Sequence, residues 1–241
     1  MDINFWINCN PKIAVDHTLK KYFGKYLYKI VLYAPGGRLI DDKADIASAL
    51  EHRQEVIKNV SKTGWWGHRF NKDLDNANIE LLEELKDIRR ATSGLKLRIE
   101  EPRIQIYAET EAELIDLVST RLGKFYHFVE LVAGPSNAEA ELALNSGAII
   151  RKVDTGYTHK VILRDGRYTP EIKKSMLIYL TNLHGDVVHV SDSLTSMLTG
   201  RSGYIWNGYF YTNDPSVTTF LNLIHPNLVL NIHPLVVLAH K

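Results

Sequence analysis

Two stretches of this chain follow one pattern. Arg103-Ile104-Gln105-Ile106-Tyr107-Ala108-Glu109-Thr110-Glu111 and Gly203-Tyr204-Ile205-Trp206-Asn207-Gly208-Tyr209-Phe210-Tyr211-Thr212-Asn213-Asp214-Pro215 each carry a short apolar run ending in Ile-Tyr or Phe-Tyr. In both, a polar cluster follows, then apolar residues at helical spacing, then a second apolar run. Further matches flank them: Lys160-Val161-Ile162-Leu163 answers Lys29-Ile30-Val31-Leu32, and Asp165-Gly166-Arg167 answers Gly36-Gly37-Arg38. A recurring strand-helix-strand pattern requires each copy to bury its helices against its own sheet. At 241 residues the chain can hide roughly 70 to 75 per cent of its unfolded surface, enough for two cores.

The first copy reads β-α-(loop)-α-β-β-α-β over residues 26 to 133. Residues 26 to 33, rich in aromatic and β-branched side chains, predict a strand closed by the turn Ala34-Pro35-Gly36-Gly37. Residues 42 to 58 predict a helix, and Ile79, Leu82, Leu85 and Ile88 a second. Strands are expected at 95 to 101 and 103 to 109, on either side of Pro102, which cannot donate to a ladder. Thr110 with Glu113 has the spacing of a capping box, and 125 to 133 predicts a strand. Ahead of these, residues 1 to 8 alternate, and Val15, Leu19, Tyr22 and Phe23 fall at helical spacing before Gly24.

The second copy predicts strands at 148 to 154 and 157 to 164, and a helix from Pro170. A strand at 186 to 190, a short helix ending at Gly200 and one strand over 204 to 212 follow. A helix capped by Asp214 with Pro215 in its first turn comes next, and then a strand from 229 to 238, in which Pro234 implies an edge or a bulge. This element order is that of the split βαβ unit. The predicted fold is therefore α+β, two tandem ferredoxin-like (split βαβ) units with antiparallel sheets. The N-terminal unit takes 1 to 134 with an inserted loop and helix, a linker helix 135 to 147, and the C-terminal unit 148 to 241. A single continuous α+β domain is the alternative.

Composition narrows the partners. Lys plus Arg (29) nearly balance Asp plus Glu (28), so any polyanion must be held by a local patch. Cys9 is the one cysteine, which excludes an internal disulfide and suits a reducing compartment. The N-terminus lacks the basic segment and apolar core of a signal peptide, and no apolar window is long enough to span a bilayer. These features predict a cytoplasmic protein without membrane contact.

An antiparallel sheet covered by helices on one side leaves the other for a partner. Tyr209 and Tyr211 share one side of their strand and could stack bases, as in RNA-binding proteins of this topology. Asn207-Gly208-Tyr209-Phe210-Tyr211 echoes the aromatic signature of those proteins, while Lys160 to Leu163 brings no aromatic to the first strand. The alternative is that both tyrosines line an interface between the units. The loop from Lys58 to Lys72 combines phosphate-neutralising Lys58, Lys62, Arg69 and Lys72 with His68 and the stacking candidates Trp65 and Trp66. In its bland reading one tryptophan is a hydrophobic plug.

His184, Asp186, His189 and Asp192 lie close in sequence, and His225, His233 and His240 near the end, but no metal-ligand spacing appears, so neither metal nor cofactor is expected. No nucleophile elbow, P-loop or Rossmann fingerprint is present, and no motif surrounds a His17–Tyr22 pair.

These residues favour a non-catalytic protein that binds single-stranded RNA or DNA, using two sheet faces and the basic aromatic loop. The first alternative is a structural or assembly protein, such as a viral one, forming homo-oligomers or binding other proteins. The second rests on layout: CRISPR RNA-processing proteins have a similar tandem arrangement, which implies a metal-independent endoribonuclease. Their glycine-rich loop before the last strand is replaced here by His225-Pro226-Asn227.

Overall fold

Alternating burial sets the sheets. The computed structural model describes residues 1–60, 74–91 and 93–237, and of residues 53 and 56–60 the backbone alone. It is a mixed α+β chain with two principal sheets of mostly antiparallel strands and several helices. It divides into two compact units, Met1–Ala138 and Glu139–Lys241.

The first unit runs α1 (Ile3–Cys9), β1 (Ala14–His17), β2 (Tyr28–Tyr33), a 3-10 turn (Gly37–Asp41), α2 (Ile46–Val60) and α3 (Asn76–Ala91). It continues with β3 (Lys96–Glu100), β4 (Arg103–Ala108), α4 (Glu111–Thr120), a 3-10 segment (Gly123–Phe128) and β5 (Val129–Gly134). The sheet order is β1-β5-β2-β4-β3, antiparallel throughout except for β1 on β5. Ile30, Leu32, Ile104, Ile106 and Ala108 take alternate positions on the two central strands and are fully buried, as are Leu81, Leu82, Leu85 and Ile88 of α3. The chain enters α4 through a complete capping box. Thr110 Oγ1 accepts the Glu113 N–H at 3.3 Å, and the Glu113 carboxylate accepts the Thr110 N–H at 2.9 Å.

Three local expectations fail in this unit, two of them overruled by a distant contact. The alternating N-terminus is helical: Asp2 caps it by accepting the Phe5 N–H at 3.2 Å, and buried Trp6 donates from Nε1 to Glu111 at 3.0 Å. The helical spacing that begins at Val15 gives a strand instead. Residues 14–17 pair in parallel with β5, Ala14 opposite Leu131 and His17 opposite Gly134, and that backbone ladder outweighs side-chain periodicity. Residues 125–128 wind as 3-10 before β5 begins.

The second unit contains α5 (Ala138–Asn145), which begins at the boundary, then β6 (Ile149–Arg151), β7 (His159–Leu163), β8 (Gly166–Arg167) and α6 (Pro170–Asn182). It ends with β9 (Val188–Val190), α7 (Asp192–Thr199), β10 (Tyr204–Ile205), β11 (Tyr209–Thr212), α8 (Val217–Ile224) and β12 (Val229–Val237). Its sheet order is β6-β12-β7-β11-β9, antiparallel except for β6 on β12, and β8 and β10 form a separate two-stranded ribbon. Val161, Leu163, Val188, Val190 and Phe210 share one core with Met176 and Leu180 of α6, Leu194 and Leu198 of α7 and Leu221 of α8. Lys173, buried in α6, donates to the carbonyls of Gly200 (2.7 Å) and Ser202 (2.8 Å) and ties down the chain leaving α7.

The strand expected over 204–212 is broken. Asn207 takes a left-handed φ of 50° and its N–H donates to Asp165 Oδ1 at 2.6 Å, which turns β10 into the ribbon and β11 into the main sheet. Pro234 lies inside the sheet. Residues up to Pro234 pair with β7, and residues 235–237 pair with β6, so the proline sits where β12 changes partner.

In each sheet the first strand of the repeat (β2, β7) lies beside the third (β4, β11), with the fourth (β5, β12) and second (β3, β9) outside them. A further strand (β1, β6) joins the fourth in parallel. Among the described residues, no helix is long and apolar enough to cross a membrane.

Candidate functional site

Because Val161, Leu163, Phe210, Val188 and Val190 point into the core of the second unit, the residues between them emerge on the opposite face. The register sets four of these in a line across the sheet. His189 on β9 is opposite Tyr211 on β11, Tyr211 opposite Lys160 on β7, and Lys160 opposite His233 on β12. At the usual strand spacing this row is about 14 Å long.

Around it gather rings and cations. The Lys160 ammonium lies 3.7 Å from the ring centroid of Tyr209 and 5.9 Å from that of Tyr211, and the Arg151 guanidinium is 5.8 Å from Tyr211. Tyr157, in the loop between β6 and β7, places its ring 6.3 Å from Tyr211 and 5.9 Å from His189, and those two are 6.2 Å apart. The three planes agree within 13 to 26°. Nearly equal separations put the rings at the corners of a triangle, not in a column. Tyr209 meets Tyr211 edge-on at 5.6 Å.

The loop that carries Tyr157 is fixed from below. The Tyr157 hydroxyl donates to the Gly185 carbonyl. Asn213 Oδ1 accepts the Thr158 N–H, and its Nδ2 donates to the carbonyls of Gly156 and Asp186, each at 3.0 Å. Tyr211 is only 8 % exposed, Tyr157 half-buried and His189 exposed, so the outer surface belongs to the last two. Burial pushes the Tyr211 hydroxyl above its ordinary pKa, Arg151 opposes that rise, and Tyr209 adds to it. At neutral pH the Tyr211 ring is uncharged and supports the two outer rings, with Lys160 and Arg151 beside it.

The first unit repeats the arrangement in part. Tyr107 on β4 stands opposite Lys29 on β2 and Lys96 on β3. Here the loop between β1 and β2 lays three rings over it: Tyr22, Phe23 and Tyr26 lie 5.2, 5.0 and 6.3 Å from Tyr107. Lys29 and Lys96 sit over Tyr22 and Phe23 at 5.0 and 4.1 Å. Tyr107 is 3 % exposed, so this face is filled from within.

Of the residues singled out in the sequence, Tyr209 and Tyr211 come together on this face. Lys62, Trp65, Trp66, His68, Arg69 and Lys72 lie outside the described residues, as does the side chain of Lys58 at the end of α2. His184 joins the site through its ring, 5.7 Å from His189. His233 Nδ1 is 2.9 Å from the Gly147 carbonyl, which can only accept, so Nδ1 carries the proton. Among the described residues no three His, Cys, Asp or Glu side chains converge as a metal site. Sequence reasoning missed Tyr157, Lys160 and Arg151, and weighed His189 only as a metal ligand or a structural imidazole. One signal was present: the aligned Lys29-Ile30-Val31-Leu32 and Lys160-Val161-Ile162-Leu163 put a lysine, not an aromatic, at the same point of each first strand.

No protein-family model, curated protein or solved structure matches this chain.

Proposed function

We propose that this is a non-catalytic protein that binds single-stranded nucleic acid on the open sheet face of its second unit, and that each unit is a ferredoxin-like split βαβ fold extended by one parallel strand. The fold reading is supported by the fourth-first-third-second strand order in both sheets. The functional reading rests on the row His189–Tyr211–Lys160–His233, roofed by Tyr157 and flanked by Tyr209 and Arg151. Bases would stack on Tyr157 and His189 while Lys160 and Arg151 neutralise phosphate. Fluorescence anisotropy with labelled mixed-sequence RNA and DNA strands tests it: binding should weaken steeply with salt. If wild-type protein leaves both strands free at low salt, the reading is wrong.

A second reading, assembly with other chains, is favoured by apolar surface on α6 and α8. Ile178, Phe220 and Leu223 are 51, 46 and 76 % exposed. It expects an oligomer by light scattering whose mass ignores added nucleic acid.

A further inference from the structure

In the first unit a shallow groove of about 480 Å³ opens beside β1, β2 and the loop joining them. Lys20, Lys21, Lys29, His17, Asp16 and Tyr22 line it. It is open to solvent, and its charge is one-sided, with three ammonium groups against one carboxylate. Asp16 Oδ1 accepts the backbone N–H of His17 at 2.8 Å, which does not neutralise that carboxylate, but the cations outnumber it. Lys20 is exposed and Lys21 half-exposed, and among the described residues neither forms an ion pair. Lys29 is held over the Tyr22 ring at 5.0 Å.

Two ammonium groups without an ion-pair partner among the described residues, beside an aromatic ring, match a phosphate joined to a planar base. We infer that this groove binds one nucleotide unit of a single-stranded nucleic acid, its phosphates at Lys20 and Lys21 and its base against Tyr22. The inference rests on the reading of the chain as a single-strand binder, and adds a contact in the first unit where the sheet face itself is closed. Lys29, over the Tyr22 ring, adds a third cation beside the base.

Photocrosslinking separates the two sites. Full-length protein is irradiated with thiouridine-substituted RNA and with thiothymidine-substituted DNA, and crosslinked peptides are located by mass spectrometry. In parallel, the salt dependence of binding is compared between wild type and Lys20→Gln/Lys21→Gln. Crosslinks at Tyr22 or its neighbours, with the log–log salt slope reduced by about 1.4 for two lost phosphate contacts, support the groove. Crosslinks confined to Tyr157, Tyr209 or Tyr211 with an unchanged slope overturn it and leave the sheet face standing. Crosslinks confined to residues 16–29 support the groove and overturn the sheet-face site. Absence of binding by the wild type overturns both.

Discussion

Tyr107 in the first unit and Tyr211 in the second hold the same place: each sits on β4 or β11, on the face opposite that strand's core residue Ile106 or Phe210, and across from a lysine on β2 or β7. What differs is the cover. Three aromatic residues close over Tyr107, and one, Tyr157, over Tyr211. The two sheets share this register and differ in the loop that precedes β2 and β7.

Tyr157 supplies one of the two accessible rings, so Tyr157→Ala should weaken the proposed single-strand binding by about 1 to 3 kcal/mol, roughly 5- to 150-fold. Tyr157→Phe removes only the hydrogen bond to Gly185 and should retain most of the affinity. Anisotropy titrations of the three proteins check this, and an alanine variant that binds like wild type removes Tyr157 from the site.

Lys173→Met should destabilise the second unit by about 1 to 3 kcal/mol, because the carbonyls of Gly200 and Ser202 lose a charged donor in a buried place. Urea denaturation gives the size. Amide exchange should quicken around residues 200–204, and an unchanged midpoint would mean that water replaces the ammonium without loss.

The capping box of α4 predicts a smaller effect. Thr110→Ala should cost about 1 kcal/mol, and Thr110→Ser should restore most of it, since the serine hydroxyl can still accept the Glu113 N–H. Equal midpoints for the alanine and serine variants would assign the effect to packing.

Burial raises the pKa values of Tyr22, Tyr107 and Tyr211. A group whose pKa is higher in the folded than in the unfolded chain contributes its full stabilisation below the unfolded value, about 10 for tyrosine, and loses it as pH rises through the folded value. Stability should therefore be insensitive to these groups near neutrality and fall in alkali. Phenolate absorbance should show a late-titrating set that moves to lower pH in urea. A single transition at the ordinary tyrosine pKa in native protein would contradict the burial of these rings.

Much of this architecture could be read locally. The Thr110–Glu113 box, the proline start of α6 and the shared side of Tyr209 and Tyr211 depend on residues a few places apart, and the structure contains all three. The misses share one cause. Residues 14–17 become a strand through β5, the run from 204 to 212 divides at Asn207, whose amide is taken by Asp165, and Pro234 is tolerated inside a sheet because β12 changes partner there. The candidate site was half legible for the same reason. A strand's sidedness is periodic in sequence, but the alignment of Tyr211 with Lys160, His189 and His233 exists only once four strands have paired.

The shortness of the outer strands bears on how copies of this chain could meet. Among the described residues, β1 has four residues, β6 and β9 three each, and β3 alternates Lys96, Arg98 and Glu100 on one side. A foreign strand would find few unpaired amides on these rims, and on β3 a ladder of charge. Joining of sheets edge to edge into continuous ribbons is thereby disfavoured.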